Sequence, residues 1–160
     1  MKRRLSFAHG QFLLQHRARS QRGRHLGADP DFGNYSWAGV VGETSIEDGK
    51  RGAAVGAVRS VRTADRHIRQ RLLAHSDVER AYSYEFAGAI PFPVRNYRAT
   101  LRVTPVVEGG RAFVEWWASF DCAPEELEHW AAYFEKDGFA VWLRSLREHV
   151  GEGFGRGGEI

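Results

Sequence analysis

The chain has 160 residues, enough for one domain with a real core. Its 42% hydrophobic, 12% aromatic and 27% charged residues exclude a disordered chain. Its apolar runs fall far short of the ~20 residues of a spanning helix, and the lone Cys122 excludes a disulfide framework and a cysteine zinc site.

The net charge of +3 is concentrated at one end. Residues 1–30 hold seven of the 23 Lys and Arg and one of the 20 acidic residues, a net +6. The other 130 residues hold 16 basic and 19 acidic residues, a net −3. The segment 1–30 admits three readings. It is a basic, disordered arm for nucleic acid or a membrane surface, an Arg-rich and acid-poor presequence, or a stretch read in the wrong frame. For the third, a one-base shift over Phe7–Pro30 with chosen codons gives MGSSYSSTVLDRNADVIWALIR. That peptide carries a strand pattern and an Asn-capped amphipathic helix before rejoining the chain at Asp31.

From Asp31 onward the pattern is regular. Val40–Ile46 predicts a strand and Glu47-Asp48-Gly49-Lys50 a turn. Val55–Arg62 and His67–His75 predict the next two strands, the latter with Ile68, Leu72 and Ala74 on one face. Arg80–Ala87 sets Tyr82, Tyr84 and Phe86 on one face and Ala81, Ser83 and Glu85 on the other. Pro91 and Pro93 make the following segment a loop. Asn96–Val106 alternates Tyr97, Ala99, Leu101 and Val103 against polar residues. Glu108-Gly109-Gly110 is a hairpin turn, and Arg111–Asp121 carries Val114, Trp116, Ala118 and Phe120 inward. Strands at such spacing, joined by short turns, form an antiparallel meander.

The period then lengthens to that of a helix. Pro124 suits a first turn, and Glu125, Glu126 and Glu128 suit its positive end. Leu127, Ala131, Phe134, Gly138, Val141, Ser145 and His149 make a stripe, widened by Trp130, Trp142, Leu146 and Val150. The helix runs to about Val150 with an interruption at Asp137-Gly138, and residues 151–160 form a Gly-rich tail. The fold class is therefore α+β, a curved antiparallel sheet gripping one long C-terminal helix.

The segments DFGNYSW (31–37), GAAVGAVRSV (52–61), LLAHSD (72–77), AYSYEF (81–86), PFPVRNYRATLRVTP (91–105) and VEWWASFD (114–121) together resemble the SRPBCC, polyketide cyclase/dehydrase-like proteins of the START/Bet v 1-like superfamily. The resemblance covers residues 31–150 and implies a helix-grip domain there. It also implies a first strand and a helix within residues 1–30, which the chain lacks as written, so an open sheet edge is expected. A cavity between sheet and helix is implied, for lipids or aromatic polyketide-like molecules. Its expected lining is Trp37, Tyr84, Phe86, Tyr97, Trp116, Phe134 and Trp142. Each is also readable as ordinary core.

Catalytic candidates are few. His67, His75, His129 and His149 show no metal-ligand spacing. Ser83 and Ser119 have no visible base. Glu85 falls on the polar face of its strand. Arg71 and Arg95 are readable as carboxylate contacts or as surface charge. Cys122 lacks an activating motif. The expectation is a cytoplasmic monomer or weak dimer that binds a small apolar molecule, with no cofactor, metal, membrane span or nucleic acid. The alternatives are a polyketide cyclase/dehydratase using the same cavity, and a basic-armed nucleic-acid or membrane-surface protein.

Overall fold

The computed structural model of the chain describes residues 8–19, 32, 33, 35, 37, 38, 43–106 and 111–152. Seven strands form one antiparallel sheet: β1 (Ala8–Arg19), β2 (Glu43–Ile46), β3 (Val58–Arg62), β4 (His67–Ser76), β5 (Ala81–Phe86), β6 (Arg95–Val106) and β7 (Arg111–Cys122). Their order is β1-β7-β6-β5-β4-β3-β2, so β2 to β7 form a continuous meander and β1 joins beside β7. A 3₁₀ turn at Pro124–Glu126 leads into α1 (Leu127–Ala132), a π-helical turn (Tyr133–Phe139) and α2 (Ala140–Glu152).

The strands form where side chains alternate, because a strand sends successive residues to opposite faces. Tyr82 and Tyr84 of β5, Tyr97, Ala99 and Leu101 of β6, and Val114, Trp116, Ala118 and Phe120 of β7 are all buried in one core. The helical segment closes that core with Phe134, Phe139 and Leu143.

Three expectations are corrected. The first concerns the missing first strand. Ala8–Arg19 forms β1 and pairs with β7 in continuous register, from Ala8 opposite Cys122 to Arg19 opposite Arg111. The free edge of β7 is thus covered, which removes the open edge expected there. Gly10 permits the close approach, since a Cβ there would meet the Phe120 ring at 2.6 Å. The helix expected within residues 1–30 lies outside the described residues, as do Val40–Gly42, the turn at Glu108-Gly109-Gly110 and most of the tail.

The second correction concerns Ala74, which is exposed. A register shift between Leu72 and Ala74 breaks the alternation, so Ile68, Gln70 and Leu72 form the inner face of β4 instead. The third concerns the helix. A regular α-helix would carry the stripe through Gly138, Val141, Ser145 and His149, and His149 is exposed. The buried series runs Phe134, Phe139, Leu143. In an α-helix, residues five apart point about 140° from one another. The π turn carries Phe134 and Phe139 as its two buried residues, because i→i+5 winding brings such residues back to one face. The interruption expected at Asp137-Gly138 falls inside this turn.

Candidate functional site

The seven residues expected to line a cavity lie together on the concave side. Trp116 sits at their centre, fully buried, stacked on Phe139 at 4.4 Å between ring centres with 15° between planes. Trp37 and Trp142 contact it at 6.3 and 5.4 Å. The Trp116 indole N–H donates to the Tyr84 hydroxyl at 3.2 Å. The Tyr97 hydroxyl is hydrogen-bonded to the same oxygen. Tyr97 packs against Phe86 at 4.4 Å and Phe134 at 5.1 Å. One chain of contacts thus runs from Trp37 to Phe134, with Trp37, Phe86 and Trp142 half-buried.

The tyrosine hydroxyls are held protonated. Burial, followed by the neighbouring Tyr82, raises Tyr84 against a smaller opposing pull from Arg59. Burial also raises Tyr97 and Tyr35 well above the usual phenol value. At neutral pH these groups are hydrogen-bond donors and acceptors, not bases.

A second cluster was not read from the sequence. Arg59 of β3 is fully buried. Its guanidinium lies between two rings, 4.2 Å from the centre of Phe32 and 4.0 Å from that of Tyr35, with Tyr84 at 5.6 Å. Its Nε and Nη2 donate to Gln70 Oε1 at 3.0 and 2.5 Å, and its Nη1 donates to the Phe32 carbonyl at 2.9 Å. Gln70 stands directly opposite Arg59 in the β3–β4 register. Desolvating a guanidinium costs several kcal/mol. Cation–π contacts of up to ~2 kcal/mol each in a dry site offset part of this. Among the described residues no carboxylate pairs with Arg59. The Tyr35 hydroxyl beside it is buried and makes no hydrogen bond. The signal was present in the pattern: Ala57, Arg59 and Val61 share one strand parity, and both neighbours in that series are buried.

The other candidates lie apart from this core. Glu85 bonds the exposed Arg71 at 2.7 Å, a surface ion pair. Arg95 is exposed at the start of β6. His67 pairs with Ser60 Oγ at 2.7 Å, and Ser83 with Thr100 Oγ1 at 2.7 Å. His75 lies 3.4 Å from Asp77, while His129 and His149 are exposed. Ser119 is half-buried on β7, on the strand face opposite Ala118 and Phe120. Cys122 is buried, and burial raises its thiol above the usual value, which suits a packed and unreactive residue. Among the described residues, no Asp, Glu or His is buried in the core. No helix among them is long and apolar enough to cross a membrane.

Residues 28–151 match the family of polyketide cyclase/dehydrase and lipid transport proteins. No curated protein matches the chain. Among solved structures, a protein from Thermobifida fusca is similar at 25% identity and a TM-score of 0.73, over 94% of this chain and 99% of that one. A Bacillus thuringiensis protein is similar at 23% identity and a TM-score of 0.73, over 88% and 98% of the two chains. Norcoclaurine synthase from Thalictrum flavum, solved with dopamine and hydroxybenzaldehyde, shares the fold at 11% identity and a TM-score of 0.68, over 96% and 91%. This chain belongs to the polyketide cyclase/dehydrase and lipid transport family, and its sheet and helix make the Bet v 1-like helix-grip fold.

Proposed function

We propose that the helix-grip domain, residues 31–150 together with β1, binds a small apolar molecule, a lipid or an aromatic polyketide-like compound, between the concave sheet and the C-terminal helix. Trp37, Tyr84, Phe86, Tyr97, Trp116, Phe134 and Trp142 line the site. The observation that carries this reading is the single chain of contacts joining all seven, with half-buried rings at Trp37, Phe86 and Trp142. Ligand sites are apolar with a few placed polar groups, and here those groups are the Tyr84 and Tyr97 hydroxyls and the Trp116 indole. The protein works in the cytoplasm, as a monomer or weak dimer.

Binding is favoured over a cyclisation or dehydration reaction in the same site. Such a reaction needs a group to move a proton, and among the described residues the buried polar side chains include no carboxylate or imidazole. The tyrosines, held protonated by burial, serve as donors.

Isothermal titration of the full chain with 2-naphthol, a neutral two-ring phenol, tests the reading. Saturable one-to-one binding is expected. Phe86→Asp, at the half-buried end of the site, should weaken it roughly tenfold or more, as expected for a charge introduced into an apolar pocket. Val78→Asp, on a side chain 91% exposed, should leave it unchanged. Equal binding by all three proteins, or none by the parent chain, contradicts the reading.

A further inference from the structure

We propose that the ligand is an acid, a small apolar molecule whose carboxylate seats on Arg59. This rests on the ligand-binding reading above and narrows its chemical class.

Arg59 is a buried cation whose charge nothing in the described fold balances. A guanidinium has five N–H donors, and three are used, two on Gln70 Oε1 and one on the Phe32 carbonyl. One N–H remains on each terminal nitrogen. Both accepting groups are neutral. The two flanking rings stabilise the cation through their faces but accept none of its remaining protons. The buried Tyr35 hydroxyl, on one of those rings, also makes no hydrogen bond. Two guanidinium N–H groups and a phenol O–H are a donor set for an oxyanion, and planar guanidinium–carboxylate pairing is among the strongest hydrogen bonding available to side chains.

The surroundings suit the remainder of an acid. The Tyr35 ring also meets Trp37 at 4.8 Å and Trp142 at 5.2 Å, both edge-on. These two half-buried indoles also touch Trp116, the centre of the aromatic cluster. A ligand that parts them sets its apolar body among the indoles and its carboxylate on Arg59. Gln70 fixes the guanidinium plane from the opposite strand without neutralising it, which a glutamate there would do.

The test compares 2-naphthoate with 2-naphthol by calorimetry at neutral pH, since the two share a ring system and differ in charge. The parent chain is expected to prefer 2-naphthoate roughly tenfold or more, the scale of a charge-assisted hydrogen bond in a dry site. Gln70→Glu keeps the shape and the bond to Arg59 while supplying an internal carboxylate, so the ratio of the two affinities should fall to about one. Arg59→Met should abolish the preference as well. Gln70→Glu carries the test if Arg59→Met does not fold. Equal affinities in the parent chain, or a preference that survives in Gln70→Glu, overturns the proposal and leaves apolar binding standing. If neither compound binds, both readings fall.

Discussion

Gly10→Val asks whether the basic N-terminal segment is laid into the sheet. A Cβ on Gly10 would lie 2.6 Å from Phe120 Cζ and 2.9 Å from Leu127 Cδ1, where carbon atoms prefer about 3.5–4.0 Å. The overlap is about 1 Å, and Phe120 has nowhere to go. Its ring is fully buried and meets Phe134 edge-on at 5.2 Å. Overpacking of this kind costs ~1–3 kcal/mol, and the two further methyls of valine favour the upper end. Restricting the unfolded chain returns ~0.4–1 kcal/mol, leaving a net loss of roughly 2 kcal/mol. With a urea slope of about 2 kcal/mol per molar, the unfolding midpoint should fall by about 1 M. Far-UV circular dichroism and tryptophan emission should report the same shift. Val78→Ser, on a fully solvated side chain, should stay within about 0.5 kcal/mol of the parent. Gly10→Val with Phe120→Leu should recover part of the loss, because the two sites touch. A parent-like midpoint for Gly10→Val would mean that β1 does not lie against β7 as described.

Phe134→Ala removes a buried ring that touches Phe92, Tyr97 and Phe120 within 5.3 Å and should cost about 3–5 kcal/mol, read as a lower midpoint with an unchanged slope. In a tyrosinate absorbance titration, Tyr35, Tyr84 and Tyr97 should resist ionisation beyond the usual value near 10, and release in a cooperative step with unfolding. Since these folded-state values are raised, their contribution is complete below about pH 10 and is lost as pH climbs beyond it. Asp121 behaves oppositely: the Asn96 amide, 2.6 Å from one oxygen, and then His9, 2.9 Å from the other, hold its carboxyl below the usual range. Its contribution is present above the unfolded value near 4 and is lost in more acid solution, so Asp121→Asn should flatten the fall of melting temperature below pH 4.

The meander and the helix were legible because their signals are local. Alternation in Ala81–Phe86, Asn96–Leu101 and Val114–Phe120 names the inner face directly. β1 was not legible, because Gln11–Arg17 contains three consecutive apolar residues flanked by charge and polarity without a period of two. Its place depends on the edge of β7 and on a glycine small enough for Phe120. The shift of the helical stripe from Val141 to Leu143 depends on a π turn, which a 3.6-residue period does not anticipate. The buried aromatics Tyr84, Tyr97 and Trp116 were legible as inward-facing positions. The Arg59 cluster was missed because arginine in a strand reads as surface charge, although Gln70 occupies the facing inner position on β4. Tyr35 and Phe32 come from a turn-rich segment with no period of its own, and only the fold brings them to β3.

The indole N–H resonances of ¹⁵N-labelled protein, followed while 2-naphthol is added, test the ligand site most directly. The chain has five tryptophans. Trp116, Trp37 and Trp142 meet at the centre of the site. Trp117 points to the other face of β7, where Arg102 covers it at 5.3 Å. Binding between sheet and helix predicts that the Trp116 signal moves most, with those of Trp37 and Trp142, while the Trp117 signal, assigned with Trp117→Phe, stays still. Movement of Trp117 with Trp116 unmoved would contradict a ligand site beneath the helix.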